Sequence, residues 1–408
     1  MIAYAQALEL LLAEAAVLPA EWCQSADACG RILAEPLHAS SALPPFDNAA
    51  MDGYAFVAAG AGLTAGSEHR VAGLLAAGAS SPPDAACGVW EIATGAALPE
   101  GLDCIVPLER AGRLDEGRIR LLEAAFAGQN VRRAGSDVAV GQQVEVAGQQ
   151  VSSPLRMMLA ALGIARIGVR RKPRVALLST GAELVVDASQ PLGPGQIYAS
   201  NASYLEASLQ ALGAEVIAKV ALGDDAEAFV ARTRQLASQV DLVLSTGVVS
   251  MGRRDFIPAG LQAMYARLLF HKVAIRPGKP ILAARLQEGA LFVGLPGNPL
   301  ATAVGLRYFV APLLRAMLGM VAETPLRASL TTPLQVAEGL RHFLKARLRQ
   351  TADSGLVVEL LEGQQSYRMG SLLQANAWVE LPESAGGWAA GAMVDVLPRD
   401  AGGGWLID

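Results

Sequence analysis

The sequence predicts an α/β plus β protein, in which a central, doubly wound, mostly parallel α/β domain lies between two small β-domains. From Arg174 onward, continuous apolar runs typical of buried strands alternate with amphipathic helical segments. Residues 30–150 instead contain short β-rich runs punctuated by glycine and proline, such as "GYAFVAAG" and "CIVPLE". Beyond Leu326 short alternating runs return, which predicts the second small β-domain.

The composition limits the kind of partner. The chain has 408 residues, enough for two to four domains, and 38 acidic against 33 basic residues give a formal net charge of -5. No global positive field is present to hold nucleic acid or an anionic membrane, so neither partner is expected. The four cysteines lack both C-x-x-C spacing and the density of a secreted scaffold, which favours a reduced, cytoplasmic location.

The N-terminal segment is predicted to be an amphipathic helix rather than a signal peptide. It has no basic n-region, and Glu9 and Glu14 interrupt its apolar residues at helical spacing. No uninterrupted apolar run of about 20 residues follows, so we expect no membrane span. A further helix is predicted in "VSSPLRMMLAALG", before a basic linker that ends in proline and indicates a domain boundary.

The stretch "PPFDNAAMDGYAF", residues 44–56, holds two aspartates, Asp47 and Asp52. It is too broken by proline and glycine for a helix and too apolar for a solvated loop. A functional role for either carboxylate competes with a local one, such as an Asx-turn or a brace for the loop.

Three glycine-containing loops follow predicted strands of the central domain: "STGAEL" (179–184), "STGVVSMGRRDF" (245–256) and "GLPGNP" (294–299). In open α/β sheets ligands bind beyond the carboxyl ends of the strands, and glycine allows close approach of the backbone to an anion. Each loop alone is also an ordinary capping or tight turn, but three in one sheet favour an anionic ligand. The candidate contacts are Ser179, Thr180, Gly181, Gly247, Ser250, Pro296, Gly297 and Asn298.

The segment "FHKVAIRPGKP" (270–280) carries three cations, Lys272, Arg276 and Lys279. If the strand continues through Arg276, the two-residue period places Lys272 and Arg276 on one side, with Lys279 at the following turn. The alternative is a solvated basic edge that protects a strand. His271 is interpreted as a packed or surface histidine.

Acidic residues fall at predicted strand ends, where they could hold Mg²⁺ between the protein and a pyrophosphate. They are Glu183, Asp224, Asp225 and Asp255. A helix N-cap is the alternative for Asp224 and Asp255, and an ordinary turn is the stronger interpretation for Asp103 and Asp137.

These motifs resemble the molybdopterin molybdenumtransferase (MoeA) family, to which the E domain of gephyrin also belongs. The resemblance rests on "PPFDNAAMDGYAF", "EIATGAALPEGLDCIVPLE", "NVRRAGSDV", "STGAELV", "GQIYASNASYL", "FHKVAIRPGKP", "VGLPGNPLATAV" and "QQSYRMGSLLQAN". They occur in the family's order and approximate spacing, from about residue 5 to about residue 400.

The resemblance implies magnesium-dependent insertion of molybdate into adenylylated molybdopterin, with release of AMP and formation of molybdenum cofactor. The sulfur ligands belong to the cofactor's dithiolene, so no protein cysteine is needed. It also implies a homodimer in which the pterin site of one subunit faces the "MDGYA" segment of the other. The pathway's adenylyltransferase and client molybdoenzymes are further candidate partners.

The domain organisation implied by the resemblance adds an elongated linker domain in two parts. We expect the linker and dimerisation domain at 1–40 and 139–172, a small β-domain at 41–138, the molybdopterin-binding α/β domain at 173–325, and a C-terminal β-domain at 326–408.

The resemblance also assigns an active-site region. It contains Asp52, Thr94, Asp137, Glu183, Asp224 or Asp225, Asp255, Lys272 and Lys279. Asp255 and Glu183, with Asp52 from the partner subunit, are expected to hold magnesium. Lys272, Arg276 and Lys279 would attract molybdate and offset charge as AMP departs. The C-terminal segment adds Ser366, Arg368 and Ser371 as further oxyanion contacts.

Five positions depart from the family's usual residues and remove acid or glycine near the expected metal and pyrophosphate: Ala182, Ala199, Val248, Arg253 and Gln365. They leave a second hypothesis open, a non-catalytic carrier or scaffold that binds finished cofactor or a client enzyme. An unrelated nucleotide-binding module is disfavoured because the chain lacks the P-loop and G-x-G-x-x-G patterns.

Overall fold

The computed structural model describes residues 1–58, 60, 62–80, 85–247, 256–351, 355–383 and 386–402. The chain divides into two compact units. The large unit comprises Met1–Glu21, Gly30–Ala34 and Val169–Asp408, and the small unit comprises Trp22–Cys29 and Glu35–Gly168. Two strands, Ala20–Gln24 and Arg166–Arg170, include residues of both.

The small unit is built on a six-stranded sheet. In spatial order its strands are Cys104–Pro107, Gly53–Phe56, Val89–Ile92, Glu68–Leu75, Arg118–Leu121 and Ala111–Arg113. Neighbours are antiparallel except for the parallel pair of Glu68–Leu75 and Val89–Ile92. The predicted β-rich character of this region is therefore confirmed.

Gly53 shows why this sheet needs glycine after Asp52. A Cβ atom at Gly53 would lie 2.2 Å from the Val106 carbonyl oxygen, which no side chain tolerates. The glycine lets the Asp52 segment lie directly against the neighbouring strand.

Short elements complete the small unit. Two antiparallel pairs join Leu37–His38 to Gln143–Glu145 and Asn48–Ala49 to Val131–Arg132. The helix Ser153–Ala161 begins at Ser152, whose hydroxyl accepts a hydrogen bond from the Leu155 amide at 3.3 Å. The 3-10 turns are Ser25–Asp27, Ala85–Cys87, Leu108–Arg110 and Asp115–Gly117.

The large unit contains the predicted mostly parallel sheet. Its strands, in spatial order, are Glu215–Leu222, Arg174–Thr180, Leu242–Gly247, Leu291–Pro296, Leu282–Arg285 and Arg267–His271. The first four strands are parallel to one another. Leu282–Arg285 is antiparallel to both of its neighbours, Leu291–Pro296 and Arg267–His271. The carboxyl ends of the parallel strands therefore meet at one edge, where a ligand is expected.

Helices cover both faces of this central sheet. Alternate residues of one strand point to opposite cores, since Leu177 packs in one hydrophobic cluster and Leu178 in the other. The helices are Tyr4–Leu12, Ser200–Ala211, Ala226–Ala237, Ile257–Ala263, Pro299–Gly305 and Ala311–Met317, with the π-helical turn Leu306–Val310 joining the last two. The doubly wound fold is confirmed.

The continuous helical stretch Pro299–Met317 is long and apolar enough to cross a membrane by length and composition, but 83% of it is buried inside the protein. Arg307 on this stretch is itself buried and forms an ion pair with Glu323 at 2.8 Å. The stretch is packed as a core helix.

The C-terminal part of the large unit is a closed sheet. Around the ring its strands are Arg341–Thr351, Gly355–Leu360, Leu326–Leu330, Met393–Pro398 and Ala377–Leu381, and the last pairs with the first. Ile275–Arg276 adds to Arg341–Thr351 in parallel. Smaller elements are the pairs Leu184–Val185 with Ile197–Tyr198 and Leu334–Gln335 with Gly387–Trp388, and the helix Gly370–Gln374.

Candidate functional site

Residues at the starts of the three predicted loops meet at the carboxyl edge of the central sheet, as their position after parallel strands predicts. The Thr180 hydroxyl donates a hydrogen bond to the Thr246 carbonyl at 3.1 Å, which joins the first loop to the second. Gly297 lies against Gly247, and the Asn201 amide donates to the Gly297 carbonyl at 2.7 Å. The predicted residues Thr180, Gly247 and Gly297 therefore lie together.

Gly247 makes this convergence possible. Its φ of 124° is unfavourable for other residues, and a Cβ atom there would lie 2.1 Å from the Thr180 carbonyl oxygen. Gly181, with a φ of 146°, turns the first loop away from its strand. Both glycines adopt backbone conformations that other residues rarely take, and their missing side chains would allow a ligand to approach the loop backbone closely.

The first loop presents one exposed acid, Glu183. Its carboxylate lies close to Gly181, where an added Cβ atom would be 2.8 Å from each carboxylate oxygen. Ser179, at the end of the same strand, lines a separate cavity of about 130 Å³ together with Ala199 and Lys219.

The two neighbouring aspartates after Leu222 have different surroundings. Asp225 is the N-cap of Ala226–Ala237, and its Oδ1 accepts from the Glu227 amide at 2.9 Å and the Ala228 amide at 3.0 Å. The N-cap of this helix is thus Asp225 and not Asp224, the alternative that the sequence suggests. Asp224 is exposed and lies two residues after Leu222, whose carbonyl accepts from the Gly181 amide.

A cavity of about 850 Å³ lies beside the third loop, between the central sheet and the C-terminal sheet. Five predicted residues line it, which are Arg276, Lys279, Pro296, Asn298 and Ser366. Its apolar wall comes from proline, leucine and valine side chains, and its polar wall from glutamine, tyrosine and histidine. The cavity combines exposed cations with an apolar surface, which suits an anionic ligand with a flat apolar part.

Lys272 does not follow the strand pattern that the sequence predicts. The strand ends at His271, Lys272 has a φ of 69°, and a separate short strand begins at Ile275. The condition under which Lys272 and Arg276 would share one side, a strand that continues through Arg276, is therefore not met. Lys272 instead starts a turn in which the Val273 amide donates to the Lys279 carbonyl, and it does not line the cavity.

His342 is a cavity residue that the sequence did not reveal. It is buried, and its Nε2 lies 3.0 Å from the Ala337 carbonyl. Burial, reinforced by the nearby Arg276 guanidinium, lowers the pKa of His342, so the ring stays neutral near pH 7. Because the His342 ring is neutral, the positive charge in the cavity lining comes from Arg276 and Lys279.

The C-terminal segment contributes less directly than predicted. Ser366 lines the cavity, and its carbonyl accepts from the Leu300 amide at 3.0 Å. Ser371 and Arg368 do not line it; the Ser371 hydroxyl and the Arg368 carbonyl both accept hydrogen bonds from the buried Lys345. Nothing in the local sequence pattern indicates this lysine.

In the small unit, Asp52 and Thr94 form a direct pair. Asp52 Oδ1 accepts from the Thr94 amide at 2.6 Å and from its hydroxyl at 2.8 Å. These bonds lower the pKa of the exposed Asp52 carboxyl, which is therefore ionised at neutral pH. The carboxylate is held by a residue distant in sequence rather than by an Asx-turn.

Three other aspartates of the small unit that the sequence singled out differ in their contacts. Asp47 accepts from Arg133 at 2.6 Å and from the Ala134 amide at 2.7 Å, so its loop is braced by residues distant in the chain and not by local hydrogen bonds. Asp103 accepts from the Ala58 amide at 2.6 Å. Asp137 is exposed, and its amide donates to the Leu43 carbonyl.

Several predicted positions, namely Val248, Ser250, Arg253 and Asp255, lie outside the described residues. Within the described ranges, no group of three His, Cys, Asp or Glu side chains could hold a metal ion.

Three family models cover most of the chain. The MoeA N-terminal region (domains I and II) matches residues 2–163, a probable molybdopterin-binding domain matches 176–316, and the MoeA C-terminal region (domain IV) matches 327–398.

Individual relatives agree with these models. The chain is 38% identical to a molybdopterin molybdenumtransferase of Synechococcus elongatus, over 97% of this chain and 99% of that protein. It is 34% identical to the enzyme of the same name from Haemophilus influenzae, over 93% of both chains. A crystal structure of the molybdopterin biosynthesis MoeA protein from Pyrococcus horikoshii superposes with a TM-score of 0.81 and 27% identity, over 97% of this chain and 99% of that one. The chain therefore belongs to the MoeA family of molybdopterin molybdenumtransferases.

Proposed function

We propose that this protein is a molybdopterin molybdenumtransferase, which inserts molybdate into adenylylated molybdopterin, releases AMP and yields molybdenum cofactor. The observation that carries the proposal is the cavity of about 850 Å³, in which Arg276 and Lys279 lie beside the last of the three loops. A substrate with a pyrophosphate and two flat ring systems needs both the cations and the apolar wall that this cavity offers.

The cations have two tasks in this proposal. Arg276 and Lys279 attract the anionic substrate and molybdate, since both lie at the exposed side of the cavity. As the bond to AMP breaks, negative charge grows on the departing phosphate, and fixed cations stabilise it. Lys272 is proposed to act from the adjoining turn. The amides of Gly247 and Gly297 are proposed to contact the pyrophosphate. Gly181, whose own amide donates to the Leu222 carbonyl, is proposed to let the first loop approach it closely.

Further substrate contacts are proposed around these loops. They comprise Ser179, Thr180, Asp224, Asp225, Ser250, Pro296, Asn298, Ser366, Arg368 and Ser371, with Thr94 and Asp137 from the small unit. Asp225 also caps a helix, and Ser371 also binds Lys345, so substitutions there are expected to affect stability as well as activity.

Magnesium belongs to the proposal as a cofactor. Mg²⁺ is commonly held by one or two carboxylates together with phosphate oxygens and waters, so a closed cluster of protein ligands is not required. Glu183 is an exposed carboxylate at the loop edge and fits such a partial set of donors. We propose Glu183 and Asp255, with Asp52 from a partner subunit, as its ligands. When bound, the ion would neutralise phosphate oxygens.

The functional form is proposed to be a homodimer, in which Asp52 completes the site of the partner subunit. Its carboxylate is ionised and held by Thr94 on an exposed segment, so it is available to a ligand outside its own unit. Mixed dimers test this arrangement. A heterodimer of D52N and E183Q chains retains one intact site if Asp52 acts across the dimer, and about half of the wild-type activity is expected.

Two results would contradict the shared site. One is a purified D52N–E183Q heterodimer that is as inactive as either homodimeric variant. The other is a fully active protein that stays monomeric at assay concentration.

The activity itself is tested by adding adenylylated molybdopterin, Mg²⁺ and molybdate to the purified protein, then measuring AMP release and cofactor formation. We expect stoichiometric release of both products and loss of release when Mg²⁺ is chelated. Tight binding of mature cofactor without any AMP release would instead support a carrier. A cytoplasmic location, with the pathway's adenylyltransferase and client molybdoenzymes as partners, completes the proposal.

A further inference from the structure

A buried lysine lies behind one wall of the cavity. Lys345 belongs to the strand Arg341–Thr351 and has no exposed surface. Its Nζ donates to the Gly363 carbonyl at 2.6 Å, the Arg368 carbonyl at 3.1 Å and the Ser371 hydroxyl at 2.5 Å. An ammonium group has three N–H donors, so these three acceptors use all of them.

The contacts of the Lys345 ammonium are unusual for a buried charge because its three acceptors are neutral. Burial lowers the pKa of Lys345 to about 8, and the nearby Arg368 guanidinium adds to the effect. A methionine of similar length would fill the space without the cost of burying a charge. The ammonium therefore contributes something other than packing, and the three bonds show what it holds.

All three acceptors belong to one segment, residues 363–371. The same segment is tied to the backbone of Lys345, because Gln364 Oε1 accepts from the Lys345 amide at 3.1 Å and Gln364 Nε2 donates to its carbonyl at 2.9 Å. Side chain and main chain of one residue therefore fix both ends of the segment.

The middle of this segment faces the cavity. Gln364, Gln365, Ser366 and Tyr367 all line it, and the Ser366 carbonyl accepts from Leu300, at the start of the helix after the third ligand loop. Moving segment 363–371 would therefore move part of the wall of the cavity that Arg276 and Lys279 also line.

We propose that Lys345 is a positioning residue for substrate binding, which fixes segment 363–371 so that Gln365, Ser366 and Tyr367 face the ligand in the cavity. The proposal rests on the proposed function, since it takes adenylylated molybdopterin as that ligand. Lys345 does not touch the ligand, and its loss is expected to weaken binding more than it slows the reacting step.

The test compares Lys345→Met with Arg349→Met. Arg349 lies on the same strand, pairs with Glu359 at the surface and is remote from the segment's contacts, so it controls for removal of one positive charge. For Lys345→Met we expect KM for adenylylated molybdopterin to rise about tenfold while kcat changes less than about threefold. Arg349→Met should match the wild type. If Lys345 had only a structural role, Lys345→Met would change the melting temperature without raising KM.

Ser371→Ala provides a second variant in case Lys345→Met does not fold. It removes one of the three acceptors, so a rise in KM of about threefold and faster exchange of the amides of residues 361–372 are expected. The exchange separates positioning from the direct substrate contact that is also proposed for Ser371. A folded Lys345→Met or Ser371→Ala protein whose KM equals that of the wild type overturns the proposal.

Hydrogen exchange of the unliganded protein separates this proposal from the proposed function. Amides of residues 361–372 should exchange about tenfold faster in Lys345→Met than in the wild type. In Arg349→Met their exchange rates should equal those of the wild type. If the wild type releases no AMP, the proposed function is wrong, and hydrogen exchange alone tests whether Lys345 positions segment 363–371. Unchanged exchange in Lys345→Met then overturns the positioning role.

Discussion

A single oxygen of Asp52, Oδ1, accepts both the backbone amide and the hydroxyl of Thr94, at 2.6 and 2.8 Å. The two residues are separated by 42 positions in the chain, so the sheet of the small unit brings them together. Because this one oxygen takes both bonds, the orientation of the whole carboxylate is fixed on an exposed segment.

Thr94→Val is expected to lower kcat/KM by about tenfold, because it removes the hydroxyl bond and leaves the amide bond. The bonds from Thr94 lower the pKa of Asp52, so losing one raises this pKa toward the ordinary value. The acid limb of the pH–rate profile should therefore move to higher pH. Thr64→Val, at an exposed threonine of the same unit, serves as the control. An unmoved acid limb in Thr94→Val would count against a role for Asp52 in the reaction.

Gly247→Ala is expected to lower the free energy of unfolding by about 2 kcal/mol or more and to abolish activity. Its Cβ atom would lie 2.1 Å from the Thr180 carbonyl oxygen, and its φ of 124° is strained for alanine. Gly223→Ala is a matched control, because a Cβ atom there meets nothing within 4 Å. Urea denaturation of both variants checks the difference. Equal midpoints would show that the two loops do not need to meet.

Arg276→Met and Lys279→Met are each expected to raise KM about tenfold, since each removes one cation from the cavity. The increase of KM with ionic strength should also become shallower, because fewer charges remain to be screened. Lys172→Met, an exposed lysine outside the cavity, is the control for net charge. Steady-state kinetics at two salt concentrations provide the measurement. If KM depended on salt identically in the wild type and in both cavity variants, the anionic substrate would have to bind outside this cavity.

Because of Lys345, the free energy of unfolding should depend on pH in the alkaline range. Its pKa falls from 10.5 to about 8 in the folded protein, so the unfolded chain binds more protons between these values. The free energy of unfolding therefore gains from this group as the pH rises from about 8 to 10.5, because the cost of the buried charge disappears. Lys345→Met lacks this contribution, so the wild type should gain stability relative to the variant across that range. Urea denaturation at pH 7 to 10 tests this, and parallel curves would contradict it.

Asp47→Ala is expected to cost about 1 kcal/mol of stability, mostly from the lost bond to the Ala134 amide, since the exposed pair with Arg133 contributes little. Activity should stay within about twofold of the wild type. The pKa of Asp47 is lowered by these bonds, so its contribution is present near neutral pH and disappears as the pH falls below about 4. Glu68→Ala, which loses only exposed arginine partners, should cost less. A large loss of activity at normal stability would give Asp47 a role in the site.

The sequence predicts features that depend on local period and on glycine. The alternation after Arg174 specifies the central sheet because buried parallel strands are apolar on both faces. "STGAEL" and "GLPGNP" could be placed at one edge because strand ends of a parallel sheet coincide. The contact between Thr180 and Gly247 then follows from pairing of neighbouring strands.

Features that depend on one residue of register or on distant partners could not be predicted. The left-handed backbone at Lys272 breaks a strand that its apolar neighbours suggest should continue. The cap falls on Asp225 rather than Asp224, a shift that local composition does not resolve. The acceptors of Lys345 come from a different part of the chain, so "HFLKARL" reads as an ordinary strand.

The short strand Ile275–Arg276 has a consequence for the modular behaviour of the large unit. In the chain it lies within the α/β part, but it forms its sheet hydrogen bonds with the closing strand Arg341–Thr351. Removing either part would leave the other with an unsatisfied backbone edge and an exposed apolar seam. We therefore expect each half to be less stable when it is expressed alone, although the two sequences look like independent modules.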